Sequence, residues 1–499
     1  MKIQISKEYY LLFLIFAIVL GFRLFFIFQS DNFSDDKAYF HVRHIDYIRE
    51  NLRPMIYDEL SYGGHNILYP QFFHYLLVPF TLILPFNLAL KLIPAILISL
   101  TVIIVYLISK EITKNKYASL IAALISGFIP LLINETLNSV SIYSLIIPLV
   151  FLAYYCLINI DKSKFYLISF IILSVLLPLT HPISFLFILS LIFYLILMNI
   201  ENKKVDKLRS ESILFSIFIT LLIGFIIFKK AFLQYGFGII WQNTPQELLA
   251  LFFKGTSIFD AIYNIGIIPL IFGSLGIFYG FFREKKDSIF LLAGMMLSIL
   301  LLFVTKLMDV NIGFIFLGIC FSILSSLAFS KISSYITITK ISNLKNYLLA
   351  ALLILIVLLS ILPSLTNAKK TMFNSITNEE IEVLEEIKNK TPNDFTILSG
   401  IYEGNIVMAV SERKNFMDDY FLLAPDVNQR LKDINLIYTT FSEAIARDFF
   451  NKYNINIIYI SQRTKNYFNI KEVSYIENSD CFKLIKKNSI AEAYEITCI

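Results

Sequence analysis

About eleven stretches of this chain are apolar over the length that a helix needs to cross a bilayer, roughly 20 residues. They fall near 9–28, 88–109, 117–134, 141–160, 164–179, 182–199, 212–228, 261–282, 288–305, 310–329 and 346–366. With 57% hydrophobic and only 16% charged residues in 499, there is too little polar surface to wrap these runs in a water-soluble core. The sequence reads as a polytopic α-helical membrane protein. The first run follows Lys2 and Lys7, exceeds a signal-peptide core and lacks a small-residue cleavage site, so it reads as a retained anchor. Charges are sparse in the middles of the runs. This argues against a transporter or lipid flippase, which would place acids or bases at mid-membrane depth.

One stretch, Tyr69–Phe86, is apolar but carries Pro79, Pro85 and His74. If it lies along the outer interface rather than crossing, every basic loop falls on the same side as the N-terminus. These loops are Lys110–Lys116, Lys162–Lys164, Asn202–Arg209, Arg283–Lys286 and Lys331–Lys345. The positive-inside rule then puts them and the N-terminus in the cytoplasm. It puts the first loop, 29–87, and everything after residue 366 outside.

The composition changes at that point, giving a membrane domain over 1–366 and an extracytoplasmic α/β domain over 367–499. Thr377 and Glu380 have capping-box spacing for a helix start. "FTILSG", "NIVMAV", "INIIYIS", "CFKLIKK" and "AEAYEIT" read as strands, the last two forming a hairpin about Asn488-Ser489. "FSEAIARDFFNKYN" reads as a helix. Cys481 and Cys498 can form a disulfide if the tail is outside, whereas Cys156 and Cys320 lie in apolar runs. The net charge of +5 is small, and no feature points to nucleic acid.

Polar residues gather at the outer ends of the runs. The first loop opens "SDDKAYFHVRHIDYIREN", in which Ser34 is a good N-cap and Asp35 and Asp36 enter the first helical turn. Helical geometry puts Asp36, Tyr39 or Phe40, Arg43 and Tyr47 on one face of an amphipathic helix. Glu135, His181 and Lys91 fall at the outer ends of later runs. Each has an ordinary explanation: helix capping for the aspartates, a solvated helix end for Glu135, a stop and restart for "THP", lipid snorkelling for Arg43 and Lys91. Such a chain could also be a catalytically silent scaffold that displays its tail.

In order, an acidic pair and a tyrosine after the first helix, then "ENLRP", "YDELSYGG", "YPQFFHYLL" and "LISGFIPLLINETL", resemble the GT-C membrane glycosyltransferases. That group includes oligosaccharyltransferase catalytic subunits, protein O-mannosyltransferases and lipid A aminoarabinose transferases. The resemblance spans roughly residues 5–200. It implies transfer of a sugar from a polyprenyl- or dolichyl-phosphate donor to a glycan, lipid or protein acceptor at the outer face of the cell membrane. Asp35 or Asp36 would be the catalytic acid of the first loop and Glu135 that of the second. Tyr39, Arg43, Lys91 and His181 would bind substrate or phosphate. It also implies a hard divalent cation, magnesium or manganese, as an option for Asp35, Asp36 and Glu135. The Trp-Trp-Asp motif that reads an asparagine acceptor is missing, since the one tryptophan, Trp241, precedes Gln242.

Overall fold

A computed structural model describes residues 7–252, 257–338, 344–476 and 480–498. Lys2 and, within the basic stretch Lys331–Lys345, Lys340 lie outside the described residues. The chain runs through α1 (Lys7–Ile27), α2 (Asp36–Asn51), β1 (Tyr57–Asp58), β2 (His65–Asn66), α3 (Phe72–Ile83), α4 (Phe86–Thr113), α5 (Lys116–Gly127) and α6 (Pro130–Thr136). It continues with α7 (Tyr143–Ile158), α8 (Lys164–Thr180), α9 (Ser184–Ile200), α10 (Lys207–Tyr235), α11 (Gln246–Phe252), α12 (Ile258–Ile265), α13 (Ile267–Tyr279), α14 (Asp287–Val304), α15 (Val310–Ile338) and α16 (Lys345–Phe373). The tail adds α17 (Asn378–Lys390), β3 (Thr396–Leu398), α18 (Gly404–Ser411), β4 (Lys414–Asn415), α19 (Val427–Thr439), α20 (Glu443–Tyr453), β5 (Ile457–Ser461), α21 (Gln462–Phe468), β6 (Phe482–Lys487) and β7 (Ala491–Ile496).

Every expected apolar run is helical. Among the described residues seven helices are long and apolar enough to cross a membrane, and the bent pair α5–α6 makes an eighth. α7, α8 and α9 are apolar but only 16 or 17 residues long. Two runs that read as single helices are broken, for physical reasons visible in their residues. α5 and α6 meet at 47°, where Pro130 opens α6 and has no N–H to continue the ladder. α12 and α13 part at Gly266, whose φ of 97° is left-handed. α3 has 12 residues, about 18 Å of helix, too short to span.

Contacts divide the chain into two compact units, each discontinuous. The bundle unit comprises residues 1–30, 70–227 and 251–373. Its core is a continuous apolar cluster from α4, α7, α9, α14 and α15, including Phe151, Phe187, Phe290 and Phe316. α13 lies against α15 through Gly276, where a Cβ would sit 2.0 Å from the Leu324 carbonyl oxygen. Small residues at such positions let backbones approach closely.

The second unit comprises 31–69, 228–250 and 374–499. The boundary near residue 366 therefore falls at 373, and residues 31–69, expected with the membrane domain, cluster with the tail. Its sheet has the order β4-β3-β5-β7-β6, with β3 parallel to β4 and β5, and β7 antiparallel to β5 and β6. The capping box at Thr377 and Glu380, the hairpin and the "FSEAIARDFFNKYN" helix form as expected. "NIVMAV" does not form a strand: it is α18. Tertiary pairing overrides its β propensity, because helix geometry turns the Asn405 and Ile406 amides onto a carboxylate of the first loop. Gly404 permits this packing, since a Cβ there would meet Asn415 Nδ2 and Asp418 Cβ at 2.6 Å. Cys481 and Cys498 are disulfide-bonded and tie the strand β6 to the end of the chain.

Candidate functional site

The N-cap of α2 is Asp35, not Ser34. Its Oδ1 accepts the Ala38 N–H at 2.7 Å, and its Oδ2 receives the Ser34 hydroxyl at 3.3 Å. The cap falls one residue later than expected because a carboxylate accepts the free amide more strongly than a hydroxyl. Asp35 stays partly exposed, held by its cap with one oxygen in a single weak bond.

Asp36, the first residue of α2, is buried. Its Oδ2 accepts Asn405 Nδ2 at 2.8 Å and the Asn405 amide at 3.3 Å, and its Oδ1 accepts the Ile406 amide at 2.7 Å. Asn405 Nδ2 also donates to Asp419 Oδ1 at 3.0 Å, so one side-chain amide bridges two carboxylates. Burial, and then the charge of Asp419, raise the Asp36 pKa well above the usual carboxylate range. Burial raises Asp419 as well. Beside them, burial pushes Asp418 up to about 6, although it accepts the Ser61 hydroxyl at 2.6 Å and Asn415 Nδ2 at 3.0 Å. The acids of the tail's "DDY" stretch thus join those of the first loop.

Arg43 does not stand free on the helix face. It forms a two-pronged ion pair with Asp58, at 2.9 and 2.8 Å, which pins α2 to β1. Burial alone would raise Asp58, but the Arg43 guanidinium holds it down at about 2. Tyr39 is buried and packs edge-on against Phe33. A cluster of rings surrounds the same helix: Phe40 stacks on Tyr420 and packs against His41, His44 and Tyr69.

The remaining candidates belong to the bundle. Lys91 is buried and donates to the carbonyls of Ile27 and Ser30, at the C-terminal end of α1 where a cation is favoured. Glu135 is half-buried near the end of α6 and accepts Asn311 Nδ2 at 3.4 Å. His181 Nδ1 accepts the Ile183 amide at 3.1 Å, and its ring packs on Tyr143. A residue that sequence reading passed over is Arg23. It is 1% exposed within α1 and donates to Thr136 Oγ1 at 3.0 Å. A lone arginine in an apolar run leaves the hydropathy signal intact, and only its burial marks it.

For a divalent cation, Asp35 has suitable chemistry, with an oxygen that holds one weak bond. Asp36 does not suit it, because both of its oxygens are taken by N–H donors. Among the described residues the grouping with three closely spaced ligand atoms is Glu443, Cys481 and Cys498, whose sulfurs are consumed by the disulfide.

Over residues 66–412 the chain matches the family described as "Predicted membrane protein (DUF2079)". No curated protein sequence matches it. Among solved structures it is similar to the apo oligosaccharyltransferase of Archaeoglobus fulgidus, with a TM-score of 0.73 at 14% identity over 97% of this chain and 74% of that one. It is also similar to AglB from Archaeoglobus fulgidus in complex with an inhibitory peptide and a dolichol-phosphate, with a TM-score of 0.71 at 16% identity over 92% and 70%. A further likeness is to ArnT from Cupriavidus metallidurans bound to undecaprenyl phosphate, with a TM-score of 0.52 at 10% identity over 96% and 97%. The chain is therefore a multi-pass membrane protein of the DUF2079 family, and its fold is that of the GT-C glycosyltransferases.

Proposed function

We propose that this protein is a membrane glycosyltransferase that moves a sugar from a polyprenyl-phosphate donor to an acceptor hydroxyl or amide, with Asp35 as the base. The observation that carries this reading is the contrast within the aspartate pair. Asp36 is immobilised by three N–H donors, whereas Asp35 is partly exposed and oriented by its cap. A general base must reach the acceptor proton and stay in place, and a capping carboxylate with a weakly held oxygen does both. The fold supports the donor class, since neighbours that share it were solved with dolichol-phosphate and undecaprenyl phosphate.

In this reading Asp35 accepts the acceptor's proton as the anomeric carbon is attacked, and Glu135 is the bundle's acid. Lys91 is the bundle's cation for the departing phosphate, a role that oriented charges perform by stabilising developing charge, and His181 contributes as a neutral hydrogen-bonding group for substrate. Arg43 acts indirectly by fixing α2 through Asp58. Tyr39 supports the same helix. If a magnesium or manganese ion takes part, Asp35 is its first-loop ligand; a neighbour of this fold was crystallised with zinc and sulfate. The disulfide supports an extracytoplasmic second unit, because such bonds persist in oxidising compartments. The N-terminus is then cytoplasmic.

The test is sugar transfer from a polyprenyl-phosphate sugar in proteoliposomes. Asp35→Asn should lower the rate by roughly 100-fold or more with thermal stability kept. Full activity in Asp35→Asn would remove Asp35 from the mechanism.

A further inference from the structure

The bundle holds a cavity of about 330 Å³ between α7, α9, α10 and α14, within the roughly 300–1,000 Å³ range of small-molecule sites. One side is polar, formed by Arg209, Lys286, Asp287 and Ser288, and the other is apolar, formed by Leu157 and Leu291. We propose that this cavity binds the phosphate of an anionic phospholipid headgroup. The inference is independent of the proposed transferase activity.

Four observations support it. First, Arg209 is nearly buried, and its Nε has no hydrogen-bond partner. Its Nη atoms reach Asp161 at 2.8 Å and Asp287 at 3.3 Å, which holds the guanidinium in place while one donor stays unused. Second, no side chain caps the N-terminus of α14, which begins at Asp287 in the cavity wall. Uncapped amides and the helix dipole favour an anion there. The carboxylate of Asp287 does not cancel this, because Lys203 pairs with it at 3.4 Å in addition to Arg209. Third, the three loops that frame the cavity, 159–164, 201–209 and 283–287, carry nine Lys and Arg against five Asp and Glu. Fourth, the helices that contribute Tyr194 and Arg209 to the wall also expose apolar side chains. Ile192, Ile196 and Ile200 on α9 and Leu208 on α10 are open to the surroundings, as lipid-facing residues are. A headgroup in the cavity with chains along α9 and α10 satisfies both the charge and the apolar faces, which a water-soluble phosphate does not.

The full chain, purified in detergent and stripped of lipid, is titrated with dioleoyl phosphatidylglycerol, dioleoyl phosphatidylcholine and glycerol 3-phosphate. Bound lipid is counted by native mass spectrometry. Phosphatidylglycerol should bind at least about tenfold more tightly than phosphatidylcholine, and Arg209→Gln should weaken it about tenfold, as expected for one charge-assisted donor. Since Arg209 also makes ion pairs, Ser288→Glu provides the second variant. An added acid in a first helical turn suits the helix but repels an anion in the cavity. It should also cost about tenfold, in protein whose thermal midpoint is unchanged. Equal binding of the two lipids, or undiminished phosphatidylglycerol binding in Ser288→Glu, overturns the proposal. Glycerol 3-phosphate competing at the same concentration as the lipid overturns the lipid assignment in favour of a soluble phosphate.

Discussion

The two units bury polar groups by different rules. In the bundle many buried hydroxyls bond to their own helix: Ser99 to Ala95, Ser174 to Phe170, Ser298 to Gly294 and Ser322 to Gly318, each to the carbonyl four residues back. In the second unit several buried acids have partners far away in sequence. Asp36 meets Ile406 across 370 residues, Asp418 meets Ser61 across 357, and Glu403 accepts Ser461 and Thr464. Local bonds are satisfied wherever the helix is placed, so they specify little. Distant charged bonds exist only in one tertiary arrangement, and they concentrate pKa shifts in the unit that carries the candidate base. In the bundle, distant bonds from buried groups include those of Ser364 and Tyr154, and the charged ones of Arg23 and Lys91 are the places to look for chemistry.

The contrast can be broken by substitution. The largest effect belongs to close packing in the bundle. Gly276→Leu drives a side chain into the α15 backbone, should cost about 3 kcal/mol or more, and is read as loss of monodisperse protein or of its thermal midpoint. Asp36→Asn replaces an acceptor by a group that also turns an N–H toward the Asn405 and Ile406 donors. It should destabilise the second unit by about 1–3 kcal/mol. Trp241, the one tryptophan and a residue of that unit, reports this by fluorescence.

A smaller effect comes from pH. The Asp418 pKa rises from 3.8 to about 6 on folding. Its contribution is therefore fully present below pH 3.8 and is lost as pH rises through 6, by roughly 1.4 kcal/mol per unit of pH. Asp36 and Asp419 act in the same direction. Asp58, held at about 2, acts oppositely, but its contribution is lost only as pH falls below about 4. Burial lowers His44 to about 3 and lowers His65 as well, and these act oppositely up to about pH 6.5. The Asp418 contribution is therefore read by difference: between about pH 4 and 6 the Trp241 unfolding midpoint should change more favourably with rising pH in Asp418→Asn than in the unsubstituted protein. Identical pH dependence of the two proteins over this interval removes Asp418 as a cause. The smallest effect is expected for Ser322→Ala in the bundle, about 1 kcal/mol or less, because only a local bond is lost. A loss of several kcal/mol there would end the distinction between the units.

How far the sequence could be read follows from the same distinction. Membrane helices announce themselves through composition, so the apolar runs were legible, and only the breaks at Pro130 and Gly266 needed coordinates to place. The capping box, the hairpin and the cysteine pair were legible because their signals are short-range. Asp418, Asp419 and Asn405 were not, because nothing near them in the chain distinguishes them from solvated loop residues. The "NIVMAV" stretch was misread for the same reason, its helix being fixed by a carboxylate in a distant segment. The acidic pair was found, but the division of labour between Asp35 and Asp36 depends on that distant partner too.

The bonds from Asp36 to α18 also set a timetable for synthesis. At roughly 5–20 residues per second, a ribosome needs from about twenty seconds to over a minute to make the chain between Asp36 and Ile406. Throughout that interval most of the membrane helices are being inserted while the first loop carries an ionised acid with no amides to receive it. The loop must stay hydrated until residues 404–419 emerge, so α2 takes its final seat near the end of translation. A chain that stalls before residue 404 would leave its first loop open, exposing that loop to proteases until the chain is finished or destroyed.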